Sequence, residues 1–246
     1  MIAAIIQART GSTRLPNKIF AEIQGRPFLW HVVHRLKPSK KVDKIIIATT
    51  TNSNDDSIEE WASENSVTCF RGSENDVLSR YFEAAKANNV KVIVRVTADD
   101  PFKDSTIIDS VISQLETQNL DFSFNNNPPS FPEGLDVEVF TFDALKKAHE
   151  NSKDPFEREH VTQFFYRNPD LFKMKNLSYK ENLSYLRWTV DTENDLEMAR
   201  QVYAHLFSKN RNFSFLDILA LLEEHPEIAE MNSSEKRSTM YQKIHP

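Results

Sequence analysis

Cysteine is nearly absent from this sequence. Cys69 is the only one among 246 residues, so neither a disulfide framework nor a thiolate metal cluster can form within the chain, and a reducing cytoplasm is the expected location. Glycine is almost as scarce. Gly11, Gly25, Gly72 and Gly134 are all there is, well below the usual ~7%, and glycines kept in so poor a background are expected to serve positive φ or close backbone approach. Positive charge is not in excess either: a net charge of −6 argues against wholesale binding to nucleic acid or a membrane surface and leaves room only for a local basic site. Long hydrophobic runs are missing too. The opening run Ile2–Ile6 is shorter than the roughly 7–15 apolar residues of a secretory signal, and no segment approaches the ~20 of a membrane helix. Hydrophobic content of 39% and charged content of 27% suit an ordinary globular chain, expected to be soluble.

What the chain does have is alternation. Ile2–Gln7, Lys44–Thr50, Val67–Phe70 and Val92–Thr97 read as strands, and Pro27–Leu36, Asp55–Glu64, Asn75–Asn88 and Ser105–Thr117 as helices. Strands alternating with helices imply an α/β fold with a mostly parallel, doubly wound sheet, whose ligands bind beyond the carboxyl ends of the strands. The middle changes character: a turn-rich loop, "LDVEVFTF" as a strand, a helix over 154–166, "FKMKNLSY" as another strand, and "LRWTVD" where the core pattern resumes. The reading is a single domain over 1–230 with an insertion at about 127–184, a dimerisation arm closing over the site. Thr192–Phe207 and Phe213–Glu224 read as terminal helices and 231–246 as a polar tail.

Directly after the first strand comes "ARTGSTRLPNK", with three cations and no acid. Backbone and hydroxyl donors at Gly11, Ser12 and Thr13 can cradle an anion, and Arg9, Arg14 and Lys18 supply charge suited to phosphate oxygens. The spacing is neither a Walker A loop nor a dinucleotide fingerprint. After the fourth strand, "RVTADDPFKD" places Asp99 and Asp100 at the same sheet edge. Hard oxygen ligands beside a phosphate site suggest Mg²⁺; the bland alternative is a helix-capping turn. One Asp is expected to face the metal and the other to cap or to bind backbone. In "LRWTVDTENDLEMAR" an N-cap cluster accounts for Glu193 and Asp195 but not for Asp191, one step too early. If its strand lies beside the fourth, Asp191 can meet Asp99 across one Mg²⁺.

Other positions admit two readings. Arg71, Ser73, Asp76 and Arg80 could reach a nucleoside or form a capped helix start. Glu157, Arg158 and His160 could line a sugar pocket or form a charged helix face. His31 and His34, three apart on an apolar helix, read as core-edge or surface histidines, and Cys69 as core rather than nucleophile.

Taken in order, "IIQARTGSTRLPNKIFAEIQGRPFLWHVVHRL", "GSENDVLSRYFEAA", "RVTADDPFKD", "EGLDVEVF", "EREHVTQFFYRNP" and "RWTVDTENDLEMAR" resemble the sugar cytidylyltransferases of the spore-coat-polysaccharide type. These are related to the acylneuraminate and 3-deoxy-manno-octulosonate enzymes that activate 2-keto sugar acids with CTP. The resemblance runs from Ile2 to about Phe207. It implies a Rossmann-like sheet of the nucleotide-diphospho-sugar transferase type, a homodimer, and transfer of CMP to a sugar acid for surface polysaccharide synthesis. It also implies nucleotide contacts at Ala8, Arg9, Gly11, Ser12, Arg14, Lys18, Arg71 and Ser73, and Mg²⁺ on Asp99 and Asp191. Arg14, Lys18, Asp99 and Asp191 are the catalytic set, and Arg80, Glu138, Arg158 and His160 are expected at the sugar. Asn17 stands where relatives more often have glycine, and Phe102-Lys103 replace the usual Leu-Ile. A nucleotide-sugar-dependent glycosyltransferase of similar fold is the alternative, and a silent nucleotide-binding subunit a third.

Overall fold

A computed structural model describes residues 1–12 and 14–237. Thr13 and positions 238–246 of the expected tail lie outside the described residues.

The central strands form because their apolar runs are long enough to be covered on both faces. β1 (Ile2–Gln7), β4 (Lys44–Thr50), β5 (Thr68–Gly72) and β6 (Val92–Thr97) pair in parallel. Alternate residues feed two cores. Ala4, Ile6, Ile47 and Val94 pack into one, under α1 (Phe28–Leu36), α2 (Asp56–Glu64), α4 (Ser105–Thr117), α8 (Glu193–Leu206) and α9 (Phe215–Glu224). Ala3, Ile5, Ile46 and Ile93 pack into the other, under α3 (Val77–Ala87), α5 (Phe142–Asn151) and α7 (Gln163–Arg167).

The chain starts in the middle of the sheet. With β7 (Phe122–Phe124), β8 (Glu138–Thr141) and β9 (Met174–Asn176), the seven strands run β5-β4-β1-β6-β8-β7-β9. β8 is antiparallel to β6 and β7, so three short strands within or next to the 127–184 span widen the main sheet. Because β4 and β6 flank β1, the chain reverses its winding there, and the carboxyl ends at Gln7 and Thr97 bound the crevice in which such sheets bind ligands. A separate hairpin, β2 (Glu22–Ile23) with β3 (Arg26–Pro27), turns through Gln24 and Gly25, both at positive φ.

Three expectations need correction. No strand forms over 186–191; its one ladder contact is a bridge between Glu133 and Arg187, and single hydrogen bonds hold the rest. The helix expected over 154–166 is two short ones, α6 (Pro155–His160) and α7, parted at Val161 with φ of 54°. Gly11 adopts no positive φ and a Cβ there would meet nothing within 4 Å, so its scarcity argument fails at that position. It holds at Gly134, where φ is +102° and a Cβ would lie 2.7 Å from the Trp188 and Thr189 backbone. Beyond α9 a short α10 (Pro226–Glu230) leads into 231–237, which is docked against the body through Asn232, 3% exposed.

Candidate active site

The basic loop is anchored before it carries any charge. Asp55, buried at the start of α2, accepts from the Thr10 amide and hydroxyl, each at 2.8 Å, and from the Thr50 hydroxyl. Desolvation pushes its carboxyl up, but these bonds outweigh it and hold Asp55 below the usual range. Buried Leu15 and Ile19 pin the loop's other side, and Asn17 takes the left-handed turn at φ 56°, which asparagine tolerates better than other non-glycine residues. At the next residue the Lys18 ammonium donates to the Val190 carbonyl at 2.7 Å and to Asp191 at 2.9 Å, with Asp99 at 4.0 Å. Arg14 reaches Asp191 at 3.1 Å.

The acids arrive from two segments stitched together without a strand pair. The Asp99 carbonyl accepts from the Val190 amide at 2.8 Å and the Thr189 hydroxyl at 3.3 Å, which brings Asp191 opposite Asp99. Arg187 then bonds Glu133, Asp191 and Asp195 at 3.0–3.1 Å. Asp195 also closes the capping box of α8 with Thr192. Burial pushes Asp191 up, but Lys18, Arg14 and Arg187 hold it below the usual carboxylate range. Asp100 points elsewhere: it is 5% exposed and meets the Thr97 hydroxyl at 2.9 Å and buried Lys103 at 2.8 Å. Its partners are side chains, not the backbone expected. Burial, opposed by Lys103, pushes its carboxyl up to about 7. The cap of α4 is Asp104 instead.

Three cavities meet here, and all three are lined by Arg14 and Asp99. One, of about 280 Å³, adds Arg9, Gly11, Ser12 and Lys18. A second, of about 570 Å³, adds Ala8, Arg9, Asn75, Arg80 and His160. The third, of about 240 Å³, adds Arg95, Lys103, Asp136, Glu138 and Arg237. Arg95 on β6 is 9% exposed, pairs with Glu138 at 2.6 Å and extends toward Gln7.

Four expected contacts do not join this set. Arg71 turns away to Asp56 and Glu59 on α2, at 2.6 and 2.9 Å, and to the Thr50 and Asn52 carbonyls. Ser73 accepts from the Asp76 amide at the approach to α3. Arg158 ties α6 to Asp76 at 2.6 Å and to the Ser152 carbonyl. Glu157 is buried against Ser152. The remaining sugar positions are split: Glu138 lines one cavity, and Arg80 and His160 another. The residues that spacing missed are Arg95, Lys103, Glu133, Asp136, Arg187 and Arg237. Only Lys103 carried a signal, since the resemblance implies an apolar residue at its position.

The donors fit a divalent cation held by Asp99 and Asp191. Lys18 already places a positive charge between the two carboxylates, and Asp99 Oδ1 is buried without a hydrogen-bond partner. Among the described residues no group of three or more His, Cys, Asp or Glu side chains is placed to hold a metal. Two carboxylates completed by phosphate and water suit Mg²⁺. Among the same residues no helix is long and apolar enough to cross a membrane.

A family model described as cytidylyltransferase matches residues 3–239. An uncharacterized protein of Methanocaldococcus jannaschii is 40% identical over 240 residues, 97% of each chain. The spore coat polysaccharide biosynthesis protein SpsF of Bacillus subtilis is 31% identical over 236 residues, 93% of this chain and 96% of that one. Among solved structures, a cytidylyltransferase from Leptospira borgpetersenii matches with a TM-score of 0.89 at 34% identity, covering 96% and 98% of the two chains. A CMP:2-keto-3-deoxy-manno-octonic acid synthetase complexed with CTP shares the fold, with a TM-score of 0.62 at 16% identity over 82% of this chain and 98% of that one.

Proposed function

This chain belongs to the cytidylyltransferase family, and from that premise we propose that it transfers CMP from CTP to a 2-keto sugar acid, a nonulosonate or octulosonate, for surface glycan synthesis. One observation carries the reading: Arg14 and Lys18 meet Asp99 and Asp191 where three cavities join. The cavity at Gly11 and Ser12 takes the β- and γ-phosphates, that at Arg80 and His160 the nucleoside, and that at Arg95 and Glu138 the acceptor. The structural neighbours support the donor and acceptor classes: one is a cytidylyltransferase, and the other a CMP:2-keto-3-deoxy-manno-octonic acid synthetase complexed with CTP.

The acceptor's anomeric oxygen forms a bond to the α-phosphorus as the bond to the bridging oxygen breaks, and pyrophosphate leaves. Arg9, Arg14 and Lys18 hold the phosphates in line and balance the charge that grows on the leaving group. Asp99 and Asp191 are the residues that would hold Mg²⁺, which when bound offsets charge on the α-phosphate and acidifies the attacking hydroxyl. That hydroxyl's proton passes to solvent through the open cleft. The reading extends to a homodimer with 127–184 as its arm, to one domain over 1–230, and to a cytoplasmic enzyme.

The test is calorimetric titration of CTP, UTP, ATP, GTP and UDP-glucose with and without Mg²⁺. Selective, metal-enhanced CTP binding is expected. Preference for UDP-glucose would mean a glycosyltransferase. Asp99→Ala should cut pyrophosphate release by about 100-fold or more with the fold intact; near-normal turnover would remove the metal assignment.

A further inference from the structure

The segment 231–237 is built into the cleft. Asn232 donates to the Arg187 carbonyl at 3.0 Å and to Asp195 at 2.8 Å, and Arg187 reaches back to the Lys236 carbonyl. Its last described residue, Arg237, lines the third cavity and neither of the other two. Four cations line that cavity, and three are already committed. Arg14 serves all three cavities and rests on Asp191. Arg95 is buried against Glu138 at 2.6 Å, and Lys103, 2% exposed, is locked between Asp100 and the Asp136 carbonyl. Arg237 differs. Its guanidinium makes one contact to the Ser184 carbonyl and one to a single oxygen of Asp136, both at 3.2 Å, and its side chain is 23% exposed. A guanidinium offers five N–H donors in a fork that matches a carboxylate in two-point contact.

We propose that Arg237 reads the carboxylate of the acceptor, exchanging its one-point contact with Asp136 for a two-point contact with the sugar acid, so that the C-terminal segment completes the acceptor site. This rests on the reading of the chain as a sugar-acid cytidylyltransferase. Arg237 is an acceptor-binding residue, and its signature is a split between the two substrates.

The experiment measures pyrophosphate release by the full chain with 3-deoxy-manno-octulosonate and N-acetylneuraminate as acids and mannose as a neutral sugar. Arg237→Ala and Arg237→Lys are compared with the parent. Arg237→Ala should raise KM for the accepted acid by about 10- to 100-fold, the loss of a charge-assisted pair, while KM for CTP stays within about twofold. Arg237→Lys should recover part of the loss, because a point charge keeps attraction without the fork. Unchanged acid KM in Arg237→Ala, an equal rise for both substrates, or turnover of mannose alone or of nothing would each overturn the proposal. Calorimetry with CTP and Mg²⁺ separates the two failures: absent CTP binding sinks the enzymatic reading, whereas normal CTP binding with an unchanged acid KM sinks only the role of Arg237.

Discussion

Lys18 serves three acceptors with one ammonium: the Val190 carbonyl, Asp191 and, at 4.0 Å, Asp99. Removing that charge leaves the two carboxylates facing one another and takes a donor from the cavity proposed for the phosphates. Lys18→Ala is expected to lower pyrophosphate release by about 100-fold, and circular dichroism should show an unchanged fold, because Arg14 and Arg187 still hold Asp191. The meeting of Arg14, Lys18, Asp99 and Asp191 was legible because the two cations lie in an acid-free loop just past β1 and the two acids just past apolar segments, with no local task that fully explains them. Arg71 looked the same and was not. Arg71 lies on β5 and its partners Asp56 and Glu59 on α2, and spacing along a chain does not report which acid on another element claims a cation. Arg237 was hidden for the same reason, and Lys103 was noticed but not placed, since tail docking and burial are tertiary facts.

At the level of elements, Gly134 turns the chain into β8 and passes against Trp188 and Thr189. Gly134→Ala forces a Cβ into backbone at 2.7 Å on a φ of +102°, and the expected cost is about 2 kcal/mol or more, read as a lower urea midpoint. A midpoint equal to the parent's would mean that the contact relaxes freely. Most elements were readable to within a residue or two: β1, β4, β6 and α4 begin and end where patterning puts them. The cap cluster at α8, Thr192 with Asp195, announced itself as well, whereas the cap of α4 fell to Asp104 and not to the Asp99-Asp100 turn. The break at Val161 gave no warning. No glycine or proline marks it, and a buried valine at positive φ is held there by packing that only the tertiary structure supplies. The 186–191 segment misled in the opposite sense. Its apolar alternation is real, but Trp188 and Val190 are buried under α8 and α9 in the larger core rather than paired in the sheet.

Acid stability belongs to the whole molecule. His31 is fully buried between α1 and the β2–β3 hairpin, with one ring nitrogen donating to the Ile23 carbonyl at 2.8 Å. Burial, helped by the charges of His34, Arg35 and Arg26, lowers its pKa from 6.5 to about 4. In that window the unfolded chain binds a proton that the folded one refuses, so stability falls as pH drops from 6.5 toward about 4. The loss from this group by pH ~5 is about 2 kcal/mol, and His31→Gln should flatten the pH dependence of the urea midpoint by that amount; an unaltered slope would refute it. The sheet class was legible because β-branched runs alternate with capped helices. The short strands at one edge, where β8 alone runs antiparallel to its neighbours, were harder to assign, being three or four residues long. Arg14, resting on Asp191, stands at the boundary of all three cavities. A triphosphate bound beside Arg14 would draw its guanidinium away from Asp191 and reshape that boundary before an acceptor arrives. If the proposed substrates bind here, nucleotide is expected to add ahead of sugar, and an unreactive acceptor analogue should inhibit uncompetitively against CTP; competitive inhibition would refute that order.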